Sequence, residues 1–208
     1  MATAAGQDVR AERLQAFLDA RAGGDVDGMA AAALRLPSVQ RFGVDAGQIP
    51  ALIHEAYAAA GSDEVRCRLA AALARAWVYG GDADRAPAFA DVAVKLAEDQ
   101  GDPALMADAL EAALVARWGP DDFAERLRLA AKLAETAAHL TAPEPRLSAH
   151  LWRLTTAWES LDVVAVHRQL RALDLLADDS GDMRVAFFAA SRRAMHALVT
   201  DDLDEADR

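Results

Sequence analysis

Only one cysteine, Cys67, occurs among the 208 residues. A single cysteine cannot form an internal disulfide, and no short motif places a base beside it. We therefore interpret Cys67 as a small buried residue of a helix rather than as a reactive thiol. Long apolar runs are also lacking, because none approaches the roughly 20 residues that a membrane span needs. The N-terminus carries no secretory signal, so we expect a cytoplasmic chain that does not enter a membrane.

Basic residues are outnumbered: 22 Lys and Arg stand against 33 Asp and Glu, for a net charge of −11. Phosphate backbones and anionic membranes attract basic surfaces, so this charge argues against direct nucleic-acid binding and against binding to a membrane surface. The chain is 53% hydrophobic and 26% charged, as soluble globular proteins are. Its length suffices for one elongated domain or two small ones.

Short catalytic and metal-binding motifs are missing as well. The sequence contains no G-x-x-x-x-G-K-[ST] phosphate loop, no H-E-x-x-H and no G-x-S-x-G. No two histidines have the i, i+4 spacing of a helical metal site. The histidines are His54, His139, His150, His167 and His196. We therefore expect no catalytic residues, no metal and no cofactor.

Helix-forming residues are what the chain does contain. Alanine, leucine, arginine and glutamate dominate, β-branched residues are sparse and no alternating strand pattern occurs. Breaks rich in glycine, proline, aspartate and serine separate the helical stretches. The predicted helices are 8–22, 25–35, 47–60, 62–79, 83–99, 103–118, 121–139, 144–159, 161–178, 182–199 and 202 onward.

A repeat connects these helices. Aspartates recur at one constant interval, at Asp82, Asp122, Asp162 and Asp202. Each follows one helix, which we call an A helix, and opens the next, a B helix. A period of about 40 made of helix pairs predicts an all-α, right-handed α-solenoid of antiparallel, tetratricopeptide-like pairs. We expect each aspartate to accept hydrogen bonds from the N–H groups that open its B helix.

The repeat suggests a domain organisation. Residues 47–208 follow it, whereas residues 1–46 form N-terminal helical pairs that match it loosely. The stretch "WGPDDF" occupies the same position as "WVYGGDAD", so we interpret it as an inter-helix joint. Asp121 and Asp122 then act as cap residues rather than as a catalytic or metal-binding pair. The final "DDLDEADR" begins a B helix and stops, which leads us to expect a piece of a longer protein.

The repeats resemble the tetratricopeptide-like region of large actinobacterial signalling ATPases. These include LuxR-type transcriptional regulators of the large ATP-binding class and related proteins with a cyclase domain. The resemblance lies in "GQIPALIHEAYAAAGSDEVRCRLAAALARAWVYGGDADRAPAFADVAVKLAEDQGDPALMADALEAALVARWGPDDFAERLRLAAKLAE" and "SAHLWRLTTAWESLDVVAVHRQLRALDLLADDSGDMRVAFFAASRRAMHALVTDDLDEAD", most of 47–207. It implies an NTP-hydrolysing module before the repeats and often a helix-turn-helix after them. Neither signature occurs in this sequence, so only a sensor or interaction role carries over.

Arginines beside aromatic residues are the candidate binding site. In tetratricopeptide-like stacks the A helices line the concave face, where an arginine fork suits carboxylate or phosphate and tryptophan is a frequent hot spot. The alternative is that the tryptophans are core wedges between helix pairs. The candidate residues are Arg75, Trp77, Arg117, Trp118, His150, Trp152, Arg153, Arg192 and Arg193.

The sequence thus predicts a non-catalytic sensor or protein-interaction region of a multidomain regulator. Its partner would be a protein, a peptide, another domain of the same chain or a small-molecule ligand. One alternative is a structural scaffold that self-associates, for instance as a homodimer. A second alternative is a groove that binds a small molecule or carries out a reaction.

Overall fold

The structure is a computed structural model that describes residues 4–36 and 48–202. The chain divides into two compact units, Met1–Trp118 and Gly119–Arg208, which are described separately. The division predicted from the sequence, after residue 46, lies in a segment outside the described residues. The predicted helix from residue 202 onward also falls outside them, beyond its first residue.

The described residues are helical nearly throughout and include no strand, so the all-α prediction is confirmed for them. None of these helices is both long enough and apolar enough to cross a membrane. The helices are α1 (Ala4–Ala22), α2 (Val26–Arg35), α3 (Ile49–Ala59), α4 (Asp63–Tyr79), α5 (Ala86–Gln100), α6 (Pro103–Ala116), α7 (Phe123–Ala137), α8 (Pro143–Glu159), α9 (Val163–Ser180) and α10 (Met183–Val199).

Two loops of identical construction start α6 and α10. Gly101 and Gly181 end the preceding helices at φ 65° and 60°, in the left-handed region that favours glycine. The next residue, Asp102 or Asp182, accepts hydrogen bonds at its Oδ1 from the two N–H groups that open the new helix, at 2.7–3.3 Å. The two loops lie two periods of the predicted repeat apart, and the same local residues give both the same geometry.

The predicted aspartate joints show a second recurring geometry. The N–H groups of Asp82, Asp162 and Asp202 donate to the carbonyl five residues earlier, at 3.1, 2.9 and 2.9 Å. The residue before each aspartate has a positive φ, which is 86° at Gly81 and 55° at Leu161. The joints after α4, α8 and α10 therefore share one backbone turn, spaced as the repeat requires.

The predicted capping by these aspartates is confirmed at only one joint. The Asp162 carboxylate accepts from the Ala165 N–H at 2.9 Å. Asp82 and Asp122 make no such side-chain bond, so the prediction is wrong there. The reason is that a short 3-10 turn, 83–85 or 120–122, stands at each joint before the B helix begins. The helix that would follow Asp202 lies outside the described residues.

The "WGPDDF" joint also differs from the others. Helix α6 ends at Ala116, and Arg117 and Trp118 bond back over three residues rather than continuing the helix. Pro120 then starts the 3-10 turn, since a proline fits the first turn of a helix but disrupts a helix interior. The stretch is an inter-helix joint, as predicted, but its backbone does not repeat the turn after α4 or α8.

In the first unit, α4 packs against α3, α5 and α6, and α2 contacts α1, α3 and α4. Helix α5 presents a stripe of fully buried alanines to this packing. The stripe consists of Ala86, Ala90, Ala93 and Ala97. Their small side chains allow the helix axes to approach closely, and leucines such as Leu69 and Leu73 fill the remaining space.

In the second unit, each helix from α7 to α10 packs against the next, and α8 also contacts α10. The core is made of aliphatic side chains from α8, α9 and α10. It includes Leu147, Leu154, Val166, Leu170, Leu173 and Val185. This packing places α9 beside α10, where the cavity described below lies.

Candidate functional site

Arg75, the first predicted binding residue, lies on α4 and is held by α6. Its guanidinium donates to the Asp108 carboxylate at 2.7 Å and to the Asp108 carbonyl at 3.2 Å. Burial disfavours its charge, but Asp108 and Glu111 outweigh burial, so the pKa of Arg75 is raised. Arg75 borders a cavity of about 390 Å³ that Leu34 and Ala104 also line. A ligand there would have to compete with Asp108.

The other predicted residues of the first unit are dispersed. Trp77 packs against the core, and the Arg85 guanidinium lies 3.9 Å from the centre of its ring. Arg117 donates to Asp91 at 2.5 Å. Trp118 is 61% exposed. The expectation that Arg117 and Trp118 lie in an A helix is wrong, because α6 ends before them at Ala116.

In the second unit, His150 and Trp152 belong to the interior of α8. Trp152 is buried, as the core-wedge alternative requires. His150 Nδ1 lies 2.9 Å from Oε1 of Gln169, which is also buried. Burial lowers the pKa of His150, and the two arginines nearby act in the same direction while the Gln169 bond opposes them. His150 is therefore partly buried and hydrogen-bonded to a neighbouring helix.

The remaining predicted arginines contact their own unit. Arg153 is exposed and borders a cavity of about 220 Å³ lined by α7, α8 and α9. Arg192 approaches the Phe188 ring at 5.7 Å and the Met195 sulfur at 3.2 Å. Arg193 donates to Asp174 at 2.8 Å. Arg153 and Arg193 line different cavities, so these two do not share one groove. A binding role for any of the predicted residues stays a prediction.

Arg126 is a residue that sequence reasoning did not single out. It lies on α7 with its side chain only 3% exposed, and it donates to the Glu159 carboxylate at 2.6 Å. A second guanidinium nitrogen donates to the Gly119 carbonyl. Arg126 thus joins the start of the unit to the end of α8. Its neighbour Arg128 is exposed. Helical spacing is the signal that could have separated the two, because Arg126 lies on the same face of α7 as the buried Leu129 and Leu133.

An apolar surface runs along α10. Met183, Phe187 and Leu198 are 84%, 65% and 59% exposed and follow helical spacing along one side, which we call the outer face of α10. Ala190 is exposed on the same side. Large apolar residues that are exposed together on one side of a helix mark an interaction surface more often than scattered exposed residues do.

Helix α8 shows how the equivalent face is used elsewhere in the unit. The positions one repeat before Phe187 and Leu198 are Leu147, which is 3% exposed, and Trp158, which is partly buried. Both pack in the cluster formed with α9 and α10. The helix ends also match, because Ser160 and Thr200 both return their hydroxyls to carbonyls three and four residues back, at 2.9–3.2 Å. The face that is covered on α8 is therefore exposed on α10.

A cavity of about 480 Å³ lies between α9 and α10, and its polar residues converge. His167 Nε2 and His196 Nε2 are 3.1 Å apart, with the ring planes at 83°. Burial, and then the neighbouring His167, lowers the pKa of His196. The lining residues are His167, Leu170, Arg171, Asp174, Arg193, His196, Ala197, Thr200 and Asp202.

Cys67 belongs to α4 of the first unit. It is 1% exposed, and its Sγ–H donates to the Ala93 carbonyl at 3.3 Å. Burial, then the Asp108 charge, raises the pKa of the Cys67 thiol to about 11. The interpretation of Cys67 as a buried structural residue is confirmed.

No protein-family model, no curated protein and no solved structure matches this chain. The chemistry and exposure of its own residues therefore carry the functional argument.

Proposed function

We propose that this chain is a non-catalytic helical-repeat region of a cytoplasmic multidomain regulator, and that it binds an amphipathic helix of a protein partner along the outer face of α10. The observation that carries the proposal is the contrast between the two equivalent helices. Leu147 of α8 is covered by α9 and α10, whereas Phe187 of α10 is 65% exposed. The resemblance to regulatory tetratricopeptide-like regions supports the same role.

The size of the surface suits a helix partner. Complete burial of a large apolar side chain contributes about 1.5–3 kcal/mol. Covering the exposed fractions of Phe187 and Leu198 would therefore contribute about 2–4 kcal/mol, with a further contribution from Met183. Helix-in-groove partners bind through apolar residues at i, i+3, i+4 and i+7, the spacing that covers one side of α10.

The occupant is expected to be a helix like α9, because Leu147 and Trp158 of α8 pack in one cluster with residues of α9 and α10. In a solenoid of this kind each helix pair covers the pair before it. A second copy of the chain is the competing occupant, and it corresponds to a self-associating scaffold. Solution mass separates the two possibilities, because only self-association makes the mass of the isolated chain depend on concentration.

The test uses a fluorescent peptide with the sequence of α9 as the helix probe. We expect fluorescence anisotropy to report binding to the chain, and Phe187→Glu or Leu198→Glu to weaken it at least about tenfold, since each places a charge in the buried interface. The matched control is Leu175→Glu, which alters an equally exposed leucine on α9 (60%). Circular dichroism checks that every variant stays helical.

Three results are informative. Peptide binding that is lost in Phe187→Glu but kept in Leu175→Glu supports a helix partner. A dimeric mass that becomes monomeric in Phe187→Glu supports self-association through the same face instead. A chain that neither binds the peptide nor self-associates, or that responds equally to both variants, contradicts docking at α10.

A further inference from the structure

We infer that His167 and His196 form a two-histidine chelating site for a divalent transition metal such as Zn²⁺ or Ni²⁺, in the cavity between α9 and α10. The two side chains come from different helices and meet through their Nε2 atoms, 3.1 Å apart. Metal binding at this pair requires no occupant on the outer face of α10.

The separation of the two nitrogens fits a shared metal. Imidazole nitrogens bind Zn²⁺ at about 2.0–2.1 Å. If one ion lies at that distance from both nitrogens, which are 3.1 Å apart, the nitrogen–metal–nitrogen angle is about 98°. This angle lies between the right angle of square-planar and octahedral sites and the wider angle of tetrahedral ones. Neutral imidazole suits zinc, nickel and copper, whereas magnesium and calcium prefer oxygen.

The protons can be arranged to allow this. Without a metal, one Nε2 donates its hydrogen to the other, because a neutral imidazole carries a donor and an acceptor nitrogen. For both to bind, the donating ring shifts that proton to its Nδ1, which leaves an Nε2 lone pair on each histidine. No net proton is released or taken up in that shift.

The surroundings leave room for the remaining ligands. The cavity of about 480 Å³ can hold metal-bound water beside the two rings. Asp174 and Asp202 line the cavity and place carboxylates near the added positive charge. Arg171 and Arg193 line it too, and Arg193 donates to Asp174 at 2.8 Å, so the carboxylates offset these guanidiniums as well. His167 is exposed, so the ion can enter from solvent. Among the described residues, no group of three or more His, Cys, Asp or Glu is placed to hold a metal, so water must complete the coordination.

The experiment is isothermal titration of the untagged full chain with Zn²⁺, and with Co²⁺ followed by visible absorption. We expect one ion per chain, bound at least about tenfold more weakly in His167→Ala and in His196→Ala, since each removes a ligand. The matched control is His139→Ala, an exposed histidine of the same unit, which should keep the affinity.

His167→Gln separates chelation from a structural hydrogen bond. Glutamine can still hydrogen-bond to His196, so thermal stability without metal should be retained while Zn²⁺ affinity falls. Zn²⁺ should also raise the unfolding temperature of the unaltered chain but not of His167→Gln, because a ligand of the folded state stabilises it. No Zn²⁺ binding by the unaltered chain, or binding that all three alanine variants change equally, would overturn the inference.

Discussion

The ion pair between Arg126 and Glu159 should lose more stability when one of its partners is removed than when the other is. The Arg126 side chain is 3% exposed, whereas that of Glu159 is 30% exposed. Removing one partner of a buried pair costs about 3–5 kcal/mol, because the other charge stays buried without compensation. Which partner is removed should therefore matter, since only Glu159 can turn toward water.

Glu159→Met is expected to be the more harmful change, at about 3 kcal/mol. It leaves the Arg126 charge buried with the Gly119 carbonyl and the Phe123 ring, whose centre is 5.8 Å away, as partial compensation. Arg126→Met removes the buried charge itself and leaves a carboxylate that water can reach. Its cost should be about 1–2 kcal/mol, mainly for the hydrogen bonds lost.

The double variant Arg126→Met with Glu159→Met should be more stable than Glu159→Met alone, because no charge is then left without its partner. The assay is urea unfolding followed by circular dichroism in the far ultraviolet, with the midpoint and slope compared among variants. The matched control is Arg128→Met, which breaks an exposed pair with Glu125 on the same helix and should cost less than about 1 kcal/mol. Additive single effects within about 0.5 kcal/mol, or a greater cost for Arg126→Met, would refute this account.

Two further predictions concern Leu161 and Cys67. Leu161 is 84% exposed and has φ 55°, so Leu161→Gly should raise the free energy of unfolding by about 0.5–1 kcal/mol. The control Leu175→Gly, within α9, should lower it by a similar amount. A destabilised Leu161→Gly variant would show that the Leu161 backbone is not strained. The pKa of Cys67 is raised from 9.0 to about 11, which lowers its thiolate fraction near pH 8 about a hundredfold, so a thiol reagent should react only as the chain unfolds. The pKa of the Cys67 thiol is higher in the folded chain than in the unfolded chain, so the protonated thiol contributes to folding stability. That contribution is complete below pH 9 and is lost as the pH rises toward 11. Rapid labelling of the folded chain at pH 8 would contradict the raised pKa and therefore both statements.

Local signals account for what could be predicted of the fold. The predicted segments 103–118 and 182–199 correspond to α6 and α10, because the start of each depends on one glycine and one aspartate that are adjacent in sequence. The predicted segment 83–99 begins earlier than α5, which starts at Ala86. Residues 83–85 form a 3-10 turn, which has helical propensity but a different hydrogen-bond pattern.

The candidate site was harder to predict because its residues meet only through packing. His167 and His196 are 29 positions apart, and no helical spacing relates them. Helical spacing places Arg126 on the buried face of α7 with Leu129, but its partner Glu159 is 33 positions away and meets it only through packing. Aromatic residues near arginines suggested a groove. In the structure, arginines such as Arg75 and Arg193 form ion pairs with aspartates of neighbouring helices.

The amino-acid sequence by itself determined most of the helices, the glycine–aspartate loops that start α6 and α10 and the cap at Asp162, since these depend on propensities and hydrogen bonds within a few residues of each other. Only the tertiary structure decided which charges are buried, which two imidazoles face each other and which apolar side of α10 stays exposed. Those outcomes depend on side chains from separate helices, and burial is a property of the neighbours that a residue acquires when the helices pack.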